Sequence, residues 1–392
     1  MELFIPTWTS DPEHPTIAAY LDAIILNFRG EYEQHLIVNS IKSLPVPDYL
    51  QKELDNIDWD HIETSNRQGE ELPAEINGLL SGDDEIAAAA ATRIWWKIVY
   101  QEDVFEATYT TATIIARMLP YCIDKPVVTE RLFGFLYEIM IQPNIRRDGY
   151  EDMVSSMAFL IPRLYQRAGV EDRLTASQAQ YILIHVGKNL PETATLLRRE
   201  WQDINHARER RAYALFCLGR WYELADELNE MDTYLASAFQ LETDVLLQAI
   251  IAINLVRNAD DNAQDSWVTY IMDILGSEGK IIAALEDMQP FIGENGAPQY
   301  LIDLLYNTNG TALAKHIRSL IMALPSCALT HQQALMGAIC STLFTPGYFE
   351  MMEVIPVIGH ALRALTELGE KDPAFITVHH EVLSSYEVRL GI

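Results

Sequence analysis

Apolar residues recur at helical spacing along almost the whole chain, and this pattern constrains the fold more than any other feature. Residues 83–100 begin with acids and then repeat apolar side chains every four residues, at Ile86, Ala90, Ile94 and Ile98. That spacing gives one apolar stripe on a helix, and acids favour a helix N-terminus. Strand signals are nearly absent, since no Asn-Gly pair lies between alternating apolar runs. The sequence therefore predicts an all-α fold.

The predicted helices come in pairs. Residues 83–100 are followed by a short polar link and a second apolar stripe over 104–118, and pairs of about 35–45 residues are typical of helical repeats. Further pairs are predicted at 125–142 with 150–167 and at 206–218 with 220–230, where Gly219 would form the turn; separate helices are predicted at 298–306 and 312–324. This pattern predicts an α-solenoid of degenerate HEAT- or armadillo-like hairpins. A globular all-α bundle is the alternative.

The 392-residue length suggests two or three domains or one elongated array. The predicted organisation is a helical cap, an acidic linker or insertion, HEAT-like repeats and C-terminal repeats, at residues 1–44, 45–75, 76–260 and 261–392 respectively.

The balance of charges disfavours nucleic acid as a partner. The chain has 28 Lys and Arg against 56 Asp and Glu, a net charge of −28, and such a field repels polyphosphates. The one basic cluster, residues 197–211, contains Arg198, Arg199, Arg208, Arg210 and Arg211. We interpret these arginines as ion-pair partners within an acidic protein. A DNA-binding helix is the alternative.

The sequence predicts a cytoplasmic protein with no membrane segment. Its four cysteines form no CxxC pair, and no basic stretch followed by an apolar run marks a signal peptide at the N-terminus. The longest apolar stretches are far shorter than the ~20 residues that span a bilayer.

The motifs of common catalytic and metal sites are absent. The chain has no phosphate-binding glycine loop, no HExxH and no GxSxG. Adjacent helical residues point about 100° apart, so His379 and His380 cannot both hold one metal ion without a third ligand nearby. They are predicted to be polar residues on the exposed side of the last helix. We therefore expect no catalytic residue, no metal and no cofactor.

Candidate partner-binding residues concentrate in two regions. Residues 45–75 contain nine acids and two basic residues, which could present carboxylates to a partner or form a solvated linker. Trp95 and Trp96 are adjacent on one predicted helix and should point to different faces, with core packing or a partner-facing Trp96 both open. The predicted binding residues are the acids Asp55, Asp58, Asp60, Glu63, Glu102 and Asp103 and the aromatic residues Trp59, Trp96 and Tyr109.

One segment resembles a known family. It contains Leu79-Leu-Ser-Gly-Asp-Asp-Glu-Ile-Ala, then Trp95-Trp96, then Val104-Phe-Glu-Ala-Thr-Tyr. An acidic helix start, an Ala-rich helix ending near Trp and a link into a second helix are similar to those of bacterial HEAT-like proteins found as immunity or accessory proteins beside polymorphic toxins. The resemblance implies a HEAT-like fold and a toxin as partner. The chain departs from the family pattern at Tyr100, Glu102 and Asp103, in the link.

These observations favour a non-catalytic binding protein that neutralises a basic toxin domain by covering its active or nucleic-acid-binding surface. The alternatives are a scaffold that joins cellular proteins, and an enzyme on an all-α framework, such as a HEAT-like lyase or a DNA-repair glycosylase.

Overall fold

The computed structural model describes residues 31–100, 103–142, 144–170, 172–257, 265–277, 280–286, 288, 291, 296–344, 355–386 and 388. These residues are predominantly helical, which confirms the predicted all-α class. Their contacts divide the chain into two compact units, one ending at Thr193 and the other beginning at Ala194. The boundary that the sequence predicts near residue 260 falls inside the second unit.

The first unit contains one short helical hairpin after another. Its helices are α1 (Glu31–Lys42), α2 (Asp48–Leu54), α3 (Leu72–Gly78), α4 (Asp84–Ile98), α5 (Glu106–Met118), α6 (Pro126–Met140), α7 (Tyr150–Ser156), α8 (Ile161–Ala168) and α9 (Arg173–Val186). Helix α1 packs on α3 and α4, while α6 and α8 both pack on α9. Helix α10 (Pro191–Gln202) contains the point of division.

Helix α4 forms as the sequence pattern predicts. The Asp83 side chain caps its N-terminus by accepting hydrogen bonds from the N–H groups of Glu85 and Ile86. Three of the four residues of its apolar stripe are fully inaccessible, namely Ala90, Ile94 and Ile98. The polar link after it contains two short antiparallel strands, β1 (Val99–Tyr100) and β2 (Asp103–Val104).

The acidic segment 45–75 packs into the first unit and is not the solvated linker that its charge allowed. Leu50, Leu54 and Ile62 are buried within this segment. Trp59 is also buried, and its indole N–H donates to the Leu54 carbonyl at 2.9 Å. Asp55, Asp58 and Asp60 therefore remain exposed while the apolar residues around them form core contacts.

An ion-pair cluster joins α3 to α4 beneath the surface of the first unit. Glu75 lies 2.7 Å from the Lys97 ammonium and 2.9 Å from the Arg93 guanidinium. Glu71 lies 3.2 Å from the same ammonium. The Glu75 and Lys97 side chains are only 3% and 4% exposed, so each charge depends on the other for stabilisation.

The single helix predicted over 150–167 is broken. Helix α7 ends at Ser156, a 3-10 turn spans Ala158–Leu160, and α8 begins at Ile161. Pro162 lies in the first turn of α8, where its missing N–H needs no helical partner. Proline is therefore placed at a helix start instead of inside a longer helix.

The second unit is also built of helices. They are α11 (Arg208–Leu224), α12 (Leu228–Leu241), α13 (Val245–Arg257), α14 (Asp265–Leu275), α15 (Lys280–Glu286), α16 (Gly296–Ala323), α17 (Leu329–Phe344), α18 (Ile355–Lys371), α19 (Pro373–Val378) and α20 (His380–Ser385). Helix α13 packs on α11, α14 and α16, so a division near residue 260 would cut a continuous core. The separate helices predicted at 298–306 and 312–324 are one helix, α16.

Gly219 is not the turn residue that the sequence suggested. Helix α11 continues through Gly219 without a turn. Helix α13 crosses α11 at this point, and the Asn254 side chain occupies the space beside the glycine. A Cβ atom at Gly219 would lie 2.2 Å from Asn254 Cγ. The buried Asn254 amide donates to the Leu215 carbonyl at 3.0 Å. Glycine is needed here for a close helix crossing.

The expectation that His379 and His380 are both exposed is wrong for His379. Its side chain is buried, with the ring centroid 4.4 Å from that of Phe375. Burial lowers the pKa of His379, because the charged imidazolium loses solvation there. His380 is exposed, as predicted.

A half-buried carboxyl on α6 gives the stability of the protein a dependence on pH. Poor solvation raises the pKa of Glu138 from 4.5 to about 7. The folded state therefore holds a proton that the unfolded chain has released, and stability falls as pH rises from about 4.5 to 7. We expect Glu138→Gln to be more stable than the wild type above that range by about 1–3 kcal/mol, and similar to it below.

Urea unfolding of both proteins on either side of this pH range tests the prediction. Glu70→Gln, at an exposed position, is the control and should change stability little at either pH. A Glu138→Gln difference that does not change with pH would contradict it.

Candidate functional site

The first unit has an open cleft of about 1060 Å³. Its walls are the end of α2, strand β2, α5 along its length, and α7 with the residues just before it. We call it the acidic cleft because of its charged lining, which consists of Glu53, Glu63, Asp103, Glu106, Asp148 and Asp152 together with Arg117 and Arg147. Six acids against two arginines make the cleft negative.

Apolar and aromatic side chains form part of the cleft wall, and Tyr109 is the largest of them. Its hydroxyl donates to the Ile145 carbonyl at 3.0 Å, and burial raises the pKa of the phenol, so the hydroxyl keeps its proton. Gly149 faces the ring, with φ of 92°, and a Cβ there would lie 3.0 Å from Tyr109 Cδ2. Both the left-handed backbone and the close contact require glycine at that point.

Two acids of the cleft are paired with its own arginines. Arg117 lies 2.6 Å from Glu53, and Arg147 lies 2.8 Å from Asp103. The Arg147 and Asp103 side chains are 50% and 52% exposed, and ion pairs at such exposure contribute little to folding stability. These pairs can therefore separate without a large loss of stability.

The other four acids of the cleft make no ion pair within the described part of the chain, and these are Glu63, Glu106, Asp148 and Asp152. Two of these acids lie at helix N-termini, where the helix dipole favours a negative charge. Glu106 is in the first turn of α5 and Asp152 is in the first turn of α7. All four are exposed, so they remain accessible to a cationic ligand.

The structure brings together three of the predicted binding residues, because Glu63, Asp103 and Tyr109 all line the acidic cleft. Three other acids are exposed on the preceding turn but do not line it, namely Asp55, Asp58 and Asp60. Asp58 lies 3.0 Å from His61, and this hydrogen bond raises the pKa of the imidazole. Glu102 lies outside the described residues.

The three aromatic residues predicted to bind a partner differ in how far they are buried. Trp96 is 50% exposed and remains available, whereas Trp59 and Tyr109 are each only 8% exposed. The expectation that Trp59 anchors a partner at the surface needs correction, because its ring packs inside the unit. Tyr109 contributes a wall of the cleft and not a protruding anchor. Trp95 points to a different face from Trp96, with its ring edge-on to Phe135 at 6.1 Å.

Sequence reasoning missed six charged residues of the cleft, which are Glu53, Glu106, Arg117, Arg147, Asp148 and Asp152. Gly149 separates the predicted helices 125–142 and 150–167, but nothing in the sequence shows that this boundary lines the same cleft as α2. Only the packing of distant hairpins places these residues together.

The arginine cluster of the second unit is paired with acids, which confirms the ion-pair interpretation. All but one of the pairs join different helices or loops, and they are Arg198–Glu230 (2.6 Å), Arg199–Glu200 (3.4 Å, within α10), Arg208–Asp244 (2.9 Å), Arg210–Glu200 (2.6 Å) and Arg211–Glu242 (3.6 Å). These charges are therefore largely neutralised within the unit.

The described ranges contain neither a metal-binding cluster nor a membrane-spanning helix. No three His, Cys, Asp or Glu side chains there are grouped so that they could hold a metal ion. No helix in the described part of the chain has both the length and the apolar character needed to cross a bilayer.

Comparison with known proteins assigns no family. No family model matches the chain, and a search of curated proteins finds no match. Among solved structures, the chain is similar to a crystal structure of an engineered protein from the Northeast Structural Genomics Consortium, at 12% identity and a TM-score of 0.32, over 90% of this chain and 98% of that chain.

Proposed function

We propose that this protein is a non-catalytic binding protein that neutralises a basic protein partner, in the manner of an immunity protein acting on a cognate toxin. The observation that carries the proposal is the acidic cleft, with four exposed acids that make no ion pair within the described residues. Such a surface complements lysine and arginine side chains, and toxins that attack nucleic acids present these around their active sites. Covering that surface would block the toxin without any catalytic step.

The packing of the helices supports a HEAT-like solenoid as the framework. In the second unit α11 packs on α13, and α16 packs on both α17 and α18. Contacts between alternate helices are characteristic of stacked helical hairpins. We propose that both units are degenerate HEAT-like arrays, acting in the cytoplasm.

The net charge of −28 supports rapid capture of a cationic partner. Complementary charge raises association rates and makes binding sensitive to salt. An adaptor for neutral cellular proteins would gain nothing from this charge.

Affinity capture from the native lysate at low ionic strength, followed by expression of the retained protein, tests the proposal. We expect a basic protein, released by salt, that arrests growth when expressed alone and does not when this chain is co-expressed. Retained proteins that leave growth unaffected would contradict the immunity function.

Neutralising the four acids of the cleft that make no ion pair should weaken binding of that partner. The variant is Glu63→Gln, Glu106→Gln, Asp148→Asn and Asp152→Asn combined, and we expect a Kd about 10- to 100-fold higher. The matched control removes four exposed acids elsewhere, with Glu227→Gln, Glu370→Gln, Asp124→Asn and Asp273→Asn. Isothermal titration calorimetry at low salt measures both, after thermal melts confirm that they fold. Equal losses in the two variants would mean that overall charge, and not the cleft, binds the partner.

A further inference from the structure

Two aromatic side chains lie on the surface where α4 leads into β1. Trp96 is 50% exposed and Tyr100 is 49% exposed, so neither ring is part of the core. The two residues are four positions apart in the sequence, at the C-terminal end of α4 and in the first strand.

Strand pairing places Tyr100 at the edge of the acidic cleft. Tyr100 is the cross-strand partner of Asp103, and Val99 is the partner of Val104. Both valines are buried, so Tyr100 and Asp103 share the outward face and their side chains are neighbours. Asp103 lines the cleft.

A short segment connects the cleft wall to Trp96. The carbonyl of Glu63, a lining residue, accepts from the Ala107 N–H at 3.1 Å. Two residues later, the Ser65 N–H donates to the Lys97 carbonyl at 2.9 Å, and the Ser65 hydroxyl donates to the Trp96 carbonyl. The residues 63–65 thus run from the acids of the cleft to the end of α4.

We infer that Trp96 and Tyr100 form an aromatic rim that receives arginine side chains of the partner. This inference rests on the proposed function and specifies the chemistry of the partner. The charge near the rim identifies the occupant: an arginine-rich segment of a protein is attracted by Asp103 beside Tyr100 and by the other acids of the cleft. A cation over an aromatic face is itself attracted to the ring.

Arginine fits this surface better than lysine does. A guanidinium group is planar and weakly hydrated, so it can stack on an aromatic face while its N–H groups bond to a carboxylate. Asp103 provides such a carboxylate beside Tyr100, and an arriving guanidinium would share it with Arg147 or displace that residue. A compact, strongly hydrated ammonium group gains less from the rings.

The test uses fluorescent hexa-arginine and hexa-lysine peptides, with binding followed by anisotropy at low salt. The variants are Trp96→Leu, Tyr100→Leu and the two combined. The control is Phe159→Leu, because Phe159 is 47% exposed and does not line the cleft. We expect each rim variant to weaken hexa-arginine binding about 2- to 5-fold and hexa-lysine binding less. The preference for arginine should then disappear in the double variant.

Including the variant with neutralised cleft acids separates failure of this inference from failure of the proposed function. If neutralising the acids weakens binding while the rim variants bind both peptides like the wild type, the aromatic rim is wrong and the cleft proposal stands. If hexa-arginine binds the neutralised variant as tightly as the wild type, both are wrong.

Discussion

Glu75→Ala should destabilise the first unit by about 3–5 kcal/mol. The substitution removes the carboxylate that faces both Lys97 and Arg93, and the Lys97 side chain is only 4% exposed. Glu71 remains at 3.2 Å but is itself partly exposed, so it replaces the lost charge incompletely. A buried ammonium without its main partner accounts for most of the cost. Urea unfolding of the whole chain measures this loss, and hydrogen exchange in α3 and α4 shows whether it is local.

A second substitution separates lost charge pairing from lost packing. Lys97→Met in the Glu75→Ala background removes the uncompensated charge and should recover part of the stability, because replacing both members of a buried pair costs less than removing one. Glu70→Ala, at an exposed position one turn before α3, is the control and should cost well under 1 kcal/mol. Two results would contradict this prediction. One is a Glu75→Ala loss of stability as small as that of the control, and the other is a double variant whose loss equals the sum of the losses of Glu75→Ala and Lys97→Met made separately.

Gly219→Ala should destabilise the second unit by about 2–3 kcal/mol. A Cβ at this position would lie 2.2–2.5 Å from the Asn254 side-chain atoms, so α11 and α13 must move apart or Asn254 must give up its bond to the Leu215 carbonyl. Alanine recovers only about 1 kcal/mol through its higher helix propensity. The expected result is a lower urea midpoint for the second unit.

Another helical glycine in the same unit provides a matched control of opposite sign. Gly359 lies within α18, and the nearest atom to a Cβ there is an Arg363 nitrogen at 4.0 Å. Gly359→Ala should therefore be neutral or stabilising by up to about 1 kcal/mol. Combining Gly219→Ala with Asn254→Ala should relieve the clash and cost less than the two single variants together. If the two glycine variants behave alike, the close crossing is not what requires Gly219.

The sequence was sufficient to predict the fold class, because a helix leaves its period in a short window of residues. It was insufficient where one residue's role depends on a distant one. Gly219 looked like a turn because nothing nearby shows that Asn254 crosses there. Trp59 looked like a surface anchor because four acids lie near it in the sequence. The side chains of those acids face solvent, but the Trp59 ring is buried.

The candidate site was predictable in part for the same reason. Glu63, Asp103 and Tyr109 were identified from local charge and aromatic content, and they line one cleft. Glu53 and Asp152 were missed because each belongs to a different hairpin, and hairpin packing over about 100 residues has no local signature.

The two arginines held within the acidic cleft have a consequence for selectivity. Arg117 and Arg147 already occupy Glu53 and Asp103, so a cation arriving at either acid exchanges one guanidinium contact for another. A single cation therefore gains little there. A ligand that presents several cations at once also reaches the four acids that have no resident competitor. The number of cations that a ligand presents, more than the strength of any one contact, would therefore decide whether it occupies the acidic cleft.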